Sequence, residues 1–361
     1  MAVFPLAPGS TIAILGGGQL GRMLSLAAAR LGFDVLILSP EAGGGAGRVS
    51  AHTLAAPYDD PEALRTLAGI ASVATFEFEN VPAAVVEALQ ALGVEVAPGP
   101  LPLAVAQDRV DEKTFLNASG APTVAFAAID TLADLRNGID RLGAPALLKT
   151  RREGYDGKGQ TWVENHADIE AAYDRIGRAP AILEARADFV RELSVIAARG
   201  RDGDVVAYPA GENHHEAGIL RRTRAPAVLS PATREQAETI AARILTRLDY
   251  VGVIGVELFE MKDGHLLVNE IAPRVHNSGH WTLDGCEVDQ FEQHIRAIAG
   301  WPLGPVTPLA QVEMENLIGA EVEAWPKLAA EAEARLWLYG KGEAREGRKM
   351  GHVNRLSPLK G

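Results

Sequence analysis

The twenty residues Val253–Ala272, VIGVELFEMKDGHLLVNEIA, break into two apolar-rich runs around Asp263-Gly264, a strong short-range signal for a β-hairpin. A two-residue turn there fixes the register: Lys262 faces His265, Met261 faces Leu266 and, counting outward, Glu257 faces Glu270. Cross-strand Cβ atoms on one face lie about 4.5–5.5 Å apart, and like charges at that spacing repel. Phe259, Met261, Leu266 and Val268 are expected to make the same face apolar, which argues against a solvated edge hairpin. A hard divalent cation, most simply Mg²⁺ bound by Glu257 and Glu270 and by substrate phosphates, removes the repulsion.

Directly after the hairpin comes APRVHNSGHWT, residues 272–282, too polar for a strand and dense in Arg274, His276, Asn277, Ser278 and His280. Zinc is disfavoured, because neither His276/His280 nor His214/His215 sits in an HExxH helix and Cys286 is the only cysteine. Upstream, LLKTRREGYDGKGQ, residues 147–160, places Lys149 at the end of an apolar strand, before a loop loosened by Gly154, Gly157 and Gly159. Arg151, Arg152 and Lys158 make that loop a cationic flap suited to closing over nucleotide phosphates. It is not a Walker A loop, since no Gly-Lys is followed there by Ser or Thr.

Near the N-terminus, ILGGGQLGR, residues 14–22, carries Gly16-x-Gly18-x-x-Gly21 between an apolar run and a helical pattern, so its amides are expected to face an anion. The acidic residue that would take an NAD ribose is missing, because Leu38 is followed by Ser39 and Pro40. The loop reads as a phosphate site rather than an NAD site, a ligand-free tight turn being the alternative. Helical patterns at Leu20–Leu31, Ala63–Leu67 and Ala83–Leu92 alternate with strand-like Thr11–Leu15, Phe33–Leu38, Val73–Phe78 and Val94–Val96, which implies a parallel, doubly wound sheet. Three prolines in Pro98–Pro102 mark a boundary, and hairpins beyond it, including Leu193–Ala198 with Val205–Tyr208, imply a mixed α+β domain.

With 361 residues, 47% of them hydrophobic, the chain can bury a large core in two or three domains. A net charge of −12 opposes non-specific nucleic-acid binding, and no stretch is apolar enough to span a bilayer, so a cytoplasmic location is expected.

Together the strand-ending Lys149, the glycine flap and Glu257 followed by Asn269-Glu270 resemble the ATP-grasp ligases. Within that superfamily, GGGQLGRM, FEFENVP, QDRVDEK, GYDGKGQ, NEIAPRVHNSGHWT and YGKGEAREGRKMGH resemble the 5-(carboxyamino)imidazole ribonucleotide synthases, over nearly the whole chain. The resemblance implies three parts: a Rossmann-like substrate domain at 1–105, an ATP-grasp domain at 106–300 and a small C-terminal domain at 301–361. It implies an ATP-dependent ligase, commonly dimeric, that phosphorylates bicarbonate to carboxyphosphate and carboxylates the amine of 5-aminoimidazole ribonucleotide. Arg109, Lys149, Gly154, Tyr155, Asp156, Gly157, Lys158, Gly159, Glu184, Glu192, His215, Asn269 and Glu270 would bind ATP, with Mg²⁺ on Glu257 and Glu270. Gln19, Leu20, Glu77, Lys341 and Arg348 would hold the ribonucleotide, and Tyr155, Asp156, Arg274 and His276 would line the reacting groups. Trp337 and Glu346 depart from the family's usual histidine and proline. The related formate-dependent glycinamide ribonucleotide enzymes fit less well, since they usually carry Glu at the place of Gln19 and lack HNSGHWT. An NAD-dependent oxidoreductase and a silent nucleotide-binding regulator are the rivals of other classes.

Overall fold

The structure, a computed structural model, describes residues 2–41, 43–152, 154 and 159–359. In chain order its first part runs β1 (Thr11–Leu15), α1 (Gln19–Arg30), β2 (Asp34–Ser39), β3 (His52–Ala55), α2 (Pro61–Ile70), β4 (Val73–Phe76), α3 (Ala83–Ala91), β5 (Glu95–Val96) and α4 (Pro100–Ala106). The five strands form one parallel sheet in the order β3-β2-β1-β4-β5. Its central strand is buried on both faces, so alternate residues serve different cores: Ala13 and Leu15 meet α2 and α3, while Ile12 and Ile14 join a core shared with the rest of the molecule.

Next come α5 (Arg109–Ala118), β6 (Phe126–Ile129), α6 (Leu132–Leu142), β7 (Ala146–Thr150), β8 (Gln160–Val163), α7 (Ile169–Arg175) and β9 (Ala181–Ala185). Here the strands make a four-stranded antiparallel sheet, β6-β9-β7-β8, covered by α6 and α7 and enclosing a small core of its own. Asp108 caps α5 by accepting from the Val110 amide at 3.0 Å, and the same carboxylate accepts from the Arg151 Nε at 2.9 Å, tying the helix start to the end of β7.

Then follow β10 (Phe189–Arg199), β11 (Val205–Ala207), β12 (Gly211–Glu216), β13 (Ile219–Ala225), α8 (Pro231–Arg247), β14 (Gly252–Met261), β15 (Leu266–Ala272), α9 (Thr282–Gly285) and α10 (Gln290–Ala299). The chain closes with β16 (Gln311–Ile318), α11 (Trp325–Leu328), β17 (Ala334–Leu338) and β18 (Lys349–Ser357). These C-terminal strands extend the same sheet, β15-β14-β10-β12-β13-β16-β18-β17, with β11 paired to β10. Helix α8 packs on β10, β14 and β15, which leaves the opposite face of those strands for chemistry.

One buried histidine joins the parallel sheet to the large one. The Val253 amide of β14 donates to His294 Nδ1 at 3.1 Å, so Nε2 carries the proton that it shares with Thr75 Oγ of β4 at 2.8 Å. Burial pushes His294 down to about 3 and keeps it neutral in this role. Thr75 and Val253 lie two and four residues before Glu77 and Glu257, so the bridge sets the spacing between both parts of the site.

Candidate functional site

Glu257 and Glu270 are paired residues, as counting along the sequence predicts, but the chain reaches that pairing by a different route. The hairpin turn takes three residues, Lys262–Gly264, with Gly264 at φ +83° and the Met261 amide donating to the His265 carbonyl at 2.9 Å. Leu258 therefore faces Val268 and Glu260 faces Leu266, one place off the two-residue register. A bulge at Asn269 restores the count at Glu257 and Glu270 and turns Asn269 and Glu270 toward the same side. It also overturns the expected apolar neighbours: Leu266 and Val268 point into the core under α8, with Leu258, while Glu257, Phe259 and Met261 lie on the other face.

That face carries a connected polar set. Asn269 Nδ2 donates to Glu257 Oε2 at 3.4 Å, Arg109 Nη1 to Glu270 Oε2 at 3.0 Å, and Arg109 Nη2 to the Gly154 carbonyl at 2.6 Å. Burial and the neighbouring Glu270 charge push Glu257 up. Burial also acts on Glu270, but Arg109 and Lys149 outweigh it and hold that carboxyl below its ordinary value. A pair so divided is a carboxylate pair short of positive charge. Among the described residues no cluster of three or more metal-ligating side chains occurs; the Glu257/Glu270 pair offers the hard oxygen donors that a divalent cation takes.

The small sheet supplies the cations. Lys149 of β7 reaches Glu184 of β9 at 2.8 Å, and Lys113 of α5 reaches the same carboxylate at 3.1 Å and the Asn269 carbonyl at 3.0 Å. Burial alone would raise Glu184; the two lysines outweigh it and hold the carboxyl down at about 2. Glu192 of β10 accepts from His215 Nδ1 of β12 at 2.5 Å, and that contact raises the imidazole against the opposing effect of burial. The Thr150 amide donates to the Gly159 carbonyl at 2.8 Å, whereas Tyr155, Asp156, Gly157 and Lys158 lie outside the described residues.

On the other side of Glu257 stands His276, its Nε2 3.5 Å from Glu257 Oε1. Gln290 grips its backbone twice, accepting from the amide at 2.9 Å and donating to the carbonyl at 2.7 Å, and a Cβ on Gly255 would sit 2.7 Å from the His276 Cβ. Burial and the Arg274 charge push His276 down to about 3, so it is a neutral imidazole at ordinary pH. Arg274 pairs with Glu79 at 2.5 Å; against burial, that guanidinium brings the Glu79 carboxyl down to about 2.

The glycine loop departs from its expected use. The anion at the start of α1 is the chain's own Glu77, which accepts from the Gly18 amide and, at 2.5 Å, from the Gly21 amide. Gly16, at φ +124°, leaves room for it, since a Cβ there would lie 2.2 Å from Glu77 Cγ. These amides are thus filled from within, which leaves the Gln19 and Leu20 side of the loop for a ligand. Burial raises Glu77 and the two amides oppose it, with Lys341 and Arg274 adding their charges.

Lys341 donates to the Lys349 carbonyl at 2.8 Å and lies over the Tyr339 ring. Arg348 keeps to its own turn, donating to the Glu343 carbonyl at 3.3 Å, and its contacts do not bring it to Glu77. Trp337, one of the departures from the family pattern, donates to Asp284 at 2.9 Å and stacks on His352, a structural position rather than a site position.

Sequence reading missed Lys113, Glu112, Glu79 and Gln290. The first two were recoverable: positions 109, 112 and 113 share one helix face. Glu112 accepts from the Ile271 amide at 2.7 Å, and burial followed by the Glu270 charge pushes it up to about 8.

Family models match this architecture in three places: a ribonucleotide synthetase preATP-grasp domain at 10–107, an ATP-grasp domain at 114–291 and a phosphoribosylaminoimidazole carboxylase C-terminal domain at 313–360. The N5-carboxyaminoimidazole ribonucleotide synthase of Brucella melitensis is 50% identical, with 98% of each chain covered. The chain belongs to the N5-carboxyaminoimidazole ribonucleotide synthase family. Among solved synthetases of this family, an ADP complex superposes with a TM-score of 0.95 at 38% identity, covering 98% of this chain and 94% of its own. The Aspergillus clavatus enzyme, in complex with ADP and 5-aminoimidazole ribonucleotide, gives 0.89 at 32% identity, with 97% and 94% covered. Synthases of this family are ATP-grasp ligases, and this chain has their mixed α/β fold, with an N-terminal parallel sheet, a central ATP-grasp domain and a small C-terminal domain.

Proposed function

We propose that this chain uses ATP and bicarbonate to carboxylate 5-aminoimidazole ribonucleotide, giving 5-(carboxyamino)imidazole ribonucleotide in purine nucleotide synthesis, with its work divided among segments 1–105, 106–300 and 301–361. A bicarbonate oxygen attacks the γ-phosphorus and ADP leaves; the exocyclic amine then attacks the carboxyphosphate carbon, expelling phosphate and losing a proton. Bicarbonate is a poor electrophile, and phosphorylation gives it a leaving group. The observation that carries this reading is the Glu257/Glu270 pair, set between the Arg109 and Lys149 cations on one side and His276 with Arg274 on the other.

In this reading Arg109, Lys149, Gly154, Tyr155, Asp156, Gly157, Lys158, Gly159, Glu184, Glu192, His215, Asn269 and Glu270 bind the nucleotide. Glu257 and Glu270 fit Mg²⁺, which when bound neutralises charge on the transferring phosphoryl group. Arg109 and Lys149 add fixed positive charge on the same side. Arg274, oriented by Glu79, is a fork suited to an oxyanion such as carboxyphosphate. His276, neutral and fixed by Gln290, presents an uncharged polar edge to the reacting amine, and Tyr155 and Asp156 share with it the role of lining the reacting groups. Gln19, Leu20, Glu77, Lys341 and Arg348 hold the ribonucleotide. Its working form is a cytoplasmic homodimer; among the described residues no helix is long and apolar enough to cross a membrane.

The test is ADP release from Mg·ATP and bicarbonate, with and without 5-aminoimidazole ribonucleotide, together with detection of the acid-labile carbamate. Stimulation by the ribonucleotide with carbamate formed is expected. ATP turnover indifferent to the ribonucleotide would leave the ATP-grasp assignment standing and sink the acceptor.

A further inference from the structure

β15 is the end strand of the large sheet, and beyond an isolated bridge between Thr123 and Val268 its outer edge has no strand to pair with among the described residues. Main-chain groups on such an edge stay unpaired unless something else covers them. Here three are covered in a row. The Val268 amide donates to the Pro122 carbonyl at 2.7 Å, Lys113 Nζ donates to the Asn269 carbonyl at 3.0 Å, and the Ile271 amide donates to Glu112 Oε1 at 2.7 Å. Two adjacent side chains of α5 thus stand in for a neighbouring strand across the bulge.

These two contacts bracket Glu270, one holding the carbonyl before it and the other the amide after it. A bulge loosens the ladder locally, and a slip of one residue there sends Glu270 to the opposite face. Glu112 and Lys113 are buried, at 3% and 1% exposure, so water does not compete for either contact. Arg109 lies one turn earlier on the same helix and reaches the Glu270 carboxylate itself at 3.0 Å. The start of the helix is fixed in turn by the Asp108 cap and its pairing with Arg151. Helix α5 therefore holds both the backbone around Glu270 and its side chain.

We propose that Glu112 and Lys113 are positioning residues that lock the bulge at Asn269 and thereby aim Asn269 and Glu270 at the nucleotide and its cation. This rests on the metal role given to Glu270 above. Breaking either contact leaves a buried main-chain group without a partner, and the strand recovers one only by shifting. The lock serves one member of the carboxylate pair: Glu257 stands on β14, which is laddered on both sides by β10 and β15 and needs no such support. Glu112 acts here as a hydrogen-bond acceptor for the Ile271 amide, and a neutral amide oxygen in its place does the same.

The test compares the full chain with Glu112→Met, Glu112→Gln and Lys113→Met. One readout is hydrogen exchange at the Ile271 amide. The other is binding of Mn²⁺, a hard stand-in for Mg²⁺, in the presence of ADP, followed by loss of the free-ion paramagnetic signal, with Glu270→Gln as the control that abolishes it. Glu112→Met is expected to speed Ile271 exchange and to weaken Mn²⁺ binding about tenfold to a hundredfold, and Lys113→Met to weaken Mn²⁺ binding in the same range. Glu112→Gln, which keeps the acceptor oxygen, recovers most of both losses. A general loss of structure would also raise KM for the ribonucleotide, which the lock leaves unchanged. Unaltered Mn²⁺ affinity in Glu112→Met, or equal losses in the Met and Gln variants, overturns the proposal. Should Glu112→Met not fold, the wild type still decides: an Ile271 amide that exchanges as fast as an unpaired edge overturns the lock, and one protected like its β14 partner Val256 supports it. If Glu270→Gln binds Mn²⁺ as tightly as the wild type, the metal reading is what fails, and the lock is then judged on Ile271 exchange alone.

Discussion

Glu270 stays ionised because Arg109 and Lys149 outweigh its burial, while its partner Glu257 is pushed toward the protonated form. Replacing Glu270 by glutamine removes a charge that both Arg109 and a bound cation use. Phosphoryl-transfer sites draw several kcal/mol from such charges, so Mg²⁺-dependent ATP turnover in Glu270→Gln is expected to fall on the order of a thousandfold. Steady-state ADP release by the folded variant checks this, and ordinary turnover removes Glu270 from the metal site. Glu184 allows a separate prediction on stability. Its carboxyl lies at about 2 in the folded protein against 4.5 as a free side chain, so its stabilising effect is complete above 4.5 and is lost as pH falls toward 2. Glu184→Gln should flatten the decline of the urea midpoint between pH 5 and 3. At neutral pH it should cost about 3–5 kcal/mol, because Lys113 and Lys149 lose their buried partner. A variant whose midpoint keeps the wild-type slope in acid places the acid sensitivity elsewhere. At this scale residue types were legible before the structure, since Glu257, Glu270, Lys149 and Arg274 are chemically conspicuous. Glu79 and Gln290 were not, because their importance lies in orienting Arg274 and His276 and leaves no spacing to read.

Among the elements, the β14–β15 hairpin shows why a correct pairing can follow from an incomplete derivation. Three residues in the turn shift the register by one and the bulge at Asn269 shifts it back, so the two departures cancel at the carboxylates. Alternation in sequence carries no mark of either, and only the apolar residues between them, Leu266 and Val268, record the difference by facing the core. The α1 loop shows the converse. Its glycine spacing correctly announced an anion at a helix start, yet a carboxylate 56 residues away from Gly21 fills the place, which local sequence cannot indicate. That arrangement predicts a strong asymmetry among glycines. Gly16→Ala forces a Cβ into Glu77 and a positive φ on alanine, so it should cost about 1–3 kcal/mol and raise KM for the ribonucleotide. Gly69→Ala, in α2 with nothing within 4 Å, should be neutral or stabilising by up to about 1 kcal/mol. Urea denaturation of both variants decides it, and equal losses would mean that the Glu77 cap does not hold the loop.

For the whole molecule, the alternation of helices and strands before Pro98 was enough to predict the parallel sheet, because each unit of that sheet is local in sequence. The joining of β16–β18 to β13 was not legible: it depends on a pairing between Arg222–Ala225 and Val312–Glu315, about ninety residues apart. One core includes Ile12 and Met23 from the first part, Ile196 and Phe291 from the middle and Met314 and Tyr339 from the last. The small sheet β6-β9-β7-β8, by contrast, encloses Ile129, Leu148, Ile169 and Leu183 in a cluster of its own. Segments that share a core and a hydrogen-bonded ladder should open together, and one with a separate core should be able to open alone. Native-state hydrogen exchange in low urea should therefore give β13 and β16 amides one common opening free energy. The β7 and β9 amides should exchange through a lower-energy opening that ADP suppresses, because Lys149 and Glu184 stand on those strands. If β16–β18 exchange well before β13, the C-terminal strands are an appended unit and the continuous sheet contributes little cooperativity. If β7 and β9 open only with the rest, Asp108 and Lys113 bind the small sheet to its neighbours more tightly than its separate core implies.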